Sequence, residues 1–93
     1  MVRIPTRLTL GKNYKIAISI VAPTVLRDID EEDLIPDGLW ISLLGRKSDS
    51  SFIGHILINN KLTKANQWAT YWHELAHAVN DIMAWDRESG LRA

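Results

Sequence analysis

Residues 71–83 read Tyr-Trp-His-Glu-Leu-Ala-His-Ala-Val-Asn-Asp-Ile-Met, and within them His73, Glu74 and His77 form the pattern His-Glu-x-x-His. On an α-helix, residues four apart lie one above the other on the same face, so His73 and His77 can direct their ring nitrogens at one point. Neutral imidazole is a good zinc ligand, and a catalytic zinc usually takes three protein ligands while a fourth position stays open to water. Glu74 follows one residue on, turned by about 100°. From there it flanks a metal rather than binding it, and can take a proton from water that the metal activates. The plain alternative is a pair of histidines on the solvated face of an ordinary amphipathic helix.

A helix must carry the motif, and the flanking sequence supplies one. Trp68, Trp72, Leu75, Val79 and Ile82 recur at spacings of three and four, which predicts a helix from about Lys64 to about Ala84 with those residues toward the core. Thr63 is placed to cap it, its hydroxyl taking up an otherwise unpaired backbone N–H. Rotation puts His73 and His77 away from the stripe, on a face free to line a cleft. Ala69, Ala76 and Ala84 fall between the two faces and permit close packing.

Upstream, the period changes from helical to two. Leu8 and Leu10 alternate with polar neighbours, Gly11-Lys12-Asn13 is a tight turn, and Tyr14, Ile16, Ile18 and Ile20 share one face, so two strands joined as a hairpin are expected. Ala22-Pro23 ends the second. Residues 24–38 hold the acidic run Asp28, Asp30, Glu31, Glu32 and Asp33, a solvated loop or short helix that lacks the spacing of a calcium loop. Pro36-Asp37-Gly38 is a turn. The apolar run Leu39–Leu44 and the segment Phe52–Asn60 are two further strands, with residues 45–51 a loop between them.

Composition bounds what this domain can be. Ninety-three residues suit one domain over 1–93, with no room for a separate substrate domain and none evident for a second C-terminal helix. The 11 basic and 11 acidic side chains balance, which gives no footprint for nucleic acid. Arg46 and Lys47 are too short a pair to argue phosphate binding. Cysteine is absent, which removes disulfides, thiolate ligands and cysteine nucleophiles together. No stretch reads as a signal peptide or a membrane span, so a cytoplasmic protein is the expectation.

Over most of its length the chain resembles the minimal zincin-like metallopeptidases, especially the small ones of bacteriophages and prophages. The likeness is carried by Trp68–Ile82 with its His-Glu-Leu-Ala-His-Ala core, by Gly54–Asn60 as the strand before it, and more weakly by Arg3–Ile16 as two short strands about a glycine turn. The resemblance implies zinc bound by His73 and His77, with Glu74 as general base. It also implies that the strand before the helix aligns a substrate backbone, a role falling on Ile56 to Asn59. Related gluzincins take a third ligand from an acidic residue beyond the first helix. Here Glu88 has the better reach if the helix ends near Ala84 and the chain turns back, with Asp86 beside it. Asp81 lies about 12 Å along the axis from His73, which suits a partner that orients His77 more than a ligand. His55, from the neighbouring strand, is a remaining candidate. Tyr71 is better placed for packing than for stabilising an oxyanion.

Two functions follow as expectations. One is a zinc-dependent peptidase acting on peptide or protein substrates. The other is a non-catalytic zincin-like binding protein, with a structural metal clip or a partner-binding surface. The expected fold is α+β, a small twisted, mostly antiparallel sheet packed on one long helix. One helix covers such a sheet only in part, so pairing with a second copy or a protein partner through Leu39–Leu44 is expected as well.

Overall fold

A computed structural model describes residues 3–11, 14–30, 35–44 and 52–92. Strand β1 (Arg7–Leu10) and strand β2 (Tyr14–Val21) are followed by helix α1 (Pro23–Asp30). Strands β3 (Gly38–Ser42) and β4 (Phe52–Asn59) then lead into helix α2 (Lys64–Arg92). The fold is α+β, one sheet of order β1-β2-β4-β3 with one long C-terminal helix.

The hairpin predicted at the start is present, with Leu8 opposite Ile16 and Leu10 opposite Tyr14. The sheet as a whole is mixed. Both outer pairings are antiparallel, but β2 and β4 at the centre run parallel. A parallel pair needs a long crossover, and the chain supplies one: α1 and β3 intervene between the two strands. Period-two patterning predicts strands but not which neighbours they take.

Ile16 and Ile18 of β2, with Ile56 and Ile58 of β4, project from one face of the sheet. They form the core with Tyr71, Ala78 and Ile82 of α2. Leu26 of α1 and Leu57 of β4 are also buried, outside that cluster. Pro23 opens α1, where its missing N–H costs nothing. Gly54 is a glycine of necessity. A Cβ there would lie 2.1 Å from the six-membered ring of Trp40, whose indole crosses it on the way to the helix.

Two expectations for the helix change. The first is its length: α2 continues to Arg92, because Trp85-Asp86-Arg87-Glu88 is polar without being a helix stop, and the hydroxyl of Tyr14 donates to Asp86 Oδ1. The second is its seat. Tyr71, Glu74, Ala78 and Ile82 face the sheet, while Trp72 stands 60% exposed. Of the predicted stripe, Ile82 is buried in the core as expected, but the rest is offset to one flank, where Trp68 and Leu75 pack against the margin of the core. Small Ala78 lets the helix approach the sheet closely, and this outweighs the larger apolar area of Trp72. The turn residues Lys12 and Asn13, the acidic residues 31–33 and the loop 45–51 lie outside the described residues.

Candidate metal centre

Thr63 begins α2 as its sequence suggests. Its Oγ1 accepts from the backbone N–H of Asn66 at 3.2 Å, and its carbonyl accepts from Gln67 at 2.8 Å. The helix then presents His73 and His77 on its exposed surface, Nε2 to Nε2 at 3.2 Å, with the rings inclined at 81°. Two zinc–nitrogen bonds of ordinary length at a tetrahedral angle place their nitrogens about 3.3 Å apart. The spacing of the two imidazoles therefore fits a shared metal ion. Together with the Glu74 carboxylate, their ligand atoms lie within 4.8 Å of one another.

Glu74 flanks the pair, as expected, from the buried side of the helix. It is 8% exposed, on the side of α2 that meets the sheet. Burial pushes its carboxyl above the ordinary range, opposed by the two neighbouring histidines. No described side chain gives it a hydrogen bond. It meets the sheet at Gly38, the first residue of β3. A Cβ on Gly38 would come 2.4 Å from Thr70 Cγ2, 2.9 Å from the Leu57 carbonyl and 3.3 Å from Glu74 Cγ. Only glycine lets the strand lie this close. Beside this contact opens a cavity of about 410 Å³, lined by Asp37, Gly38, Ala69, Thr70, His73 and Glu74.

The strand on this cavity has a free edge. Asn59 N donates to Asp37 O at 2.8 Å and Leu43 N to Ile53 O at 2.7 Å, so odd-numbered residues of β3 turn their backbone groups toward β4. By antiparallel alternation, the N–H and C=O groups of Gly38, Trp40 and Ser42 point outward, and no described strand pairs with them. Ile56–Asn59, expected to align a substrate backbone, cannot do so. They belong to β4, which is flanked on both sides by β2 and β3. An edge open to a peptide exists, but one strand over.

The candidate third ligands are scattered. Because α2 does not end near Ala84, it carries Glu88 about 16 Å along the axis from His77. Asp86 accepts from the Tyr14 hydroxyl, and Asp81 accepts from Trp40 Nε1 at 2.7 Å. His55 sits on β4 against Ser19, with Nε2 to Oγ at 2.8 Å, and burial lowers its pKa. Tyr71 is 3% exposed and meets Trp68 and Trp72 edge-on, a packing residue. Among the described residues, then, the group holds His73, His77 and Glu74 alone. Asp37, Gly38 and Thr70 had no signal as site residues in the sequence, since Pro36-Asp37-Gly38 reads as a turn wherever it occurs.

No helix among the described residues is long and apolar enough to cross a membrane. The chain matches no family model, no curated protein and no solved structure.

Proposed function

We propose that this chain is a zinc-dependent peptidase of the zincin kind, with His73 and His77 as metal ligands and Glu74 as general base. One observation carries the proposal: two imidazole nitrogens 3.2 Å apart on one helical turn, beside a buried glutamate that opens on a cavity. A zinc ion held there lowers the pKa of water and polarises a carbonyl. The protein's own part is proton handling and alignment. Glu74 takes up the proton at its carboxylate and returns it to the departing amine. Its position beside the two histidines, on the cavity, suits a group that takes a proton from water and passes it on. The outward backbone groups of Gly38, Trp40 and Ser42 extend the sheet by one peptide strand, which lays an extended substrate along the cavity.

A second function rests on a specific observation too. Among the described residues, only Glu74 joins the two histidines in the donor group, and it faces the sheet. A protein that uses the pair as a metal clip, and the free edge of β3 as a docking strand, fits this without hydrolysis.

The deciding experiment measures zinc in protein purified without added metal or a histidine tag, for wild type and His77→Ala, and then hydrolysis of an unfolded protein substrate. About one zinc per wild-type chain, lost in His77→Ala, with cleavage abolished in a zinc-bound Glu74→Gln protein, supports the peptidase. Zinc bound without cleavage favours the clip. Absence of zinc from both proteins, even when it is supplied, rules out both.

A further inference from the structure

The outward side of α2 holds two features that adjoin. His73 and His77 stand there as an exposed pair, joined among the described residues by Glu74 alone, which faces the sheet. Beside them runs a groove of about 320 Å³, lined by Trp72, Leu75, Ala76, Val79 and Asn80 and apolar except for Asn80. At about 100° per residue, Ala76 lies about 40° from Trp72 and about 60° from His73, so it separates the groove from the pair. Ala69 and Ala76 are both exposed and lie on the side of α2 away from the sheet, where small side chains leave room for a second helix.

Two α2 helices packed antiparallel about a two-fold axis meet flank to like flank, with heights reversed about the axis. Set level with Leu75, midway between the two histidines, the axis brings His73 beside the partner's His77 and His77 beside the partner's His73. Four neutral nitrogen donors then surround one point, enough to close a tetrahedral zinc. The same axis sets Trp72 opposite the height of Ala78. Its indole there enters the partner's groove, with Leu75 and Ala76 to one side and Val79 and Asn80 to the other, a knob in a four-residue hole. Trp72 is 60% exposed in the single chain and free to make this contact. Metal coordination and side-chain packing thus select the same axis independently.

Area sets how firmly such a pair holds. A covered aromatic side chain buries about 150–250 Å², whereas a stable interface takes about 800 Å² from each partner. Trp72 and the short groove around it fall below that, so the pairing depends on the metal.

We infer that zinc joins two copies of this chain, antiparallel along α2, through His73 and His77 of each and with Trp72 of each in the other's groove. The inference rests on metal binding by the pair, and it adds a regulation of the same site. The partner's histidines fill the position that hydrolysis needs open to water, so cleavage belongs to the single chain.

Sedimentation velocity and native mass spectrometry are run on the full chain with no more than one zinc per chain, and again with EDTA. The expected wild type is a dimer with one zinc per two chains, which EDTA returns to monomer. His77→Ala should stay monomeric. Trp72→Ser and Asn80→Arg, both at exposed positions, should keep zinc and an unchanged circular dichroism spectrum but dimerise about tenfold more weakly. A wild-type monomer with one zinc per chain overturns the inference and leaves the pair standing as a metal site. Absence of zinc from wild type overturns both. A dimer that survives EDTA, that holds one zinc per chain, or that forms equally well in both groove variants places the contact elsewhere and overturns the inference as well.

Discussion

The indole Nε1 of Trp40 donates to Oδ2 of Asp81 at 2.7 Å, across 41 residues of sequence. Trp40 lies on the free edge strand two residues beyond Gly38, and Asp81 lies on α2 one turn beyond His77. The bond therefore ties together the two walls of the cleft, on the flank of the helix that bears the histidines. Asp81 orients the edge strand and not His77. Asp81→Ala should lower stability by about 1 kcal/mol in urea unfolding, because the bond is exposed. Zinc affinity should stay unchanged. Loss of a partner that orients a metal-binding histidine would instead weaken zinc about 10–100-fold. A titration of zinc against both proteins separates these outcomes.

Glu74 should cost the metal-free protein stability. Burial raises its carboxyl pKa in the folded state, so the native protein binds more protons than the unfolded chain just above the ordinary glutamate range. The favourable contribution of this group is complete below its unfolded pKa and is lost as pH rises through the folded value. At neutral pH the charged form is a liability held for function. Glu74→Gln should therefore raise stability there by about 0.5–2 kcal/mol. The gain should close toward about pH 3, below the ordinary glutamate pKa, where the wild-type carboxyl is itself neutral in both states. Thermal melts of the metal-free pair from acid to neutral pH read this directly. Identical melts across the range would mean that Glu74 is well solvated.

The seat of α2 makes a third prediction, one that ranks two adjacent aromatics. Tyr71 is 3% exposed within the core cluster, while Trp72 is 60% exposed beside it. Tyr71→Ala should cost about 3–5 kcal/mol, the range for emptying a large aromatic site. Trp72→Ser should cost no more than about 1 kcal/mol, mostly from its ring contacts with Trp68 and Tyr71. Chemical denaturation of the two variants tests the order. The reverse order would restore the stripe of Trp68, Trp72, Leu75 and Val79 as the buried face.

That offset shows what sequence periodicity can and cannot convey. Apolar spacing located α2, Thr63 marked its start, and the alternation in Ile16–Ile20 and Ile56–Ile58 located the central strands. But two apolar stripes run along α2, and hydrophobicity favours the larger one. Close packing of Ala78 on the sheet selects the other. The His73–His77 pair was legible because a helix fixes residues four apart relative to one another. The opposite wall was not, since Gly38 and Asp37 reach the site through the pairing of β3 with β4, a long-range relation without a local pattern. The edge role was misplaced on Ile56–Asn59 for the same reason. Glu88 was placed near the metal on the premise of a chain reversal, and no residue between Ala84 and Glu88 enforces one.

His55 gives a prediction outside the cleft. Its ring is half-buried between β2 and β4 neighbours, with Nε2 2.8 Å from Ser19 Oγ, and burial lowers its pKa from the ordinary 6.5. The folded protein thus binds fewer protons than the unfolded chain as pH falls through that range. The group contributes stability that is fully present above pH 6.5 and is lost as pH falls through the lower, folded value. Glu74 acts in the opposite sense over neighbouring pH values, so the melting profile of wild type alone mixes the two. The difference between wild type and His55→Gln isolates the histidine, because Glu74 is common to both. That difference should favour wild type most at about pH 7.5 and shrink or reverse by about pH 5, where a charged imidazole must be held in a half-buried site. A difference that is flat with pH would mean that His55 titrates alike in the folded and unfolded chain, and that its contact with Ser19 survives protonation.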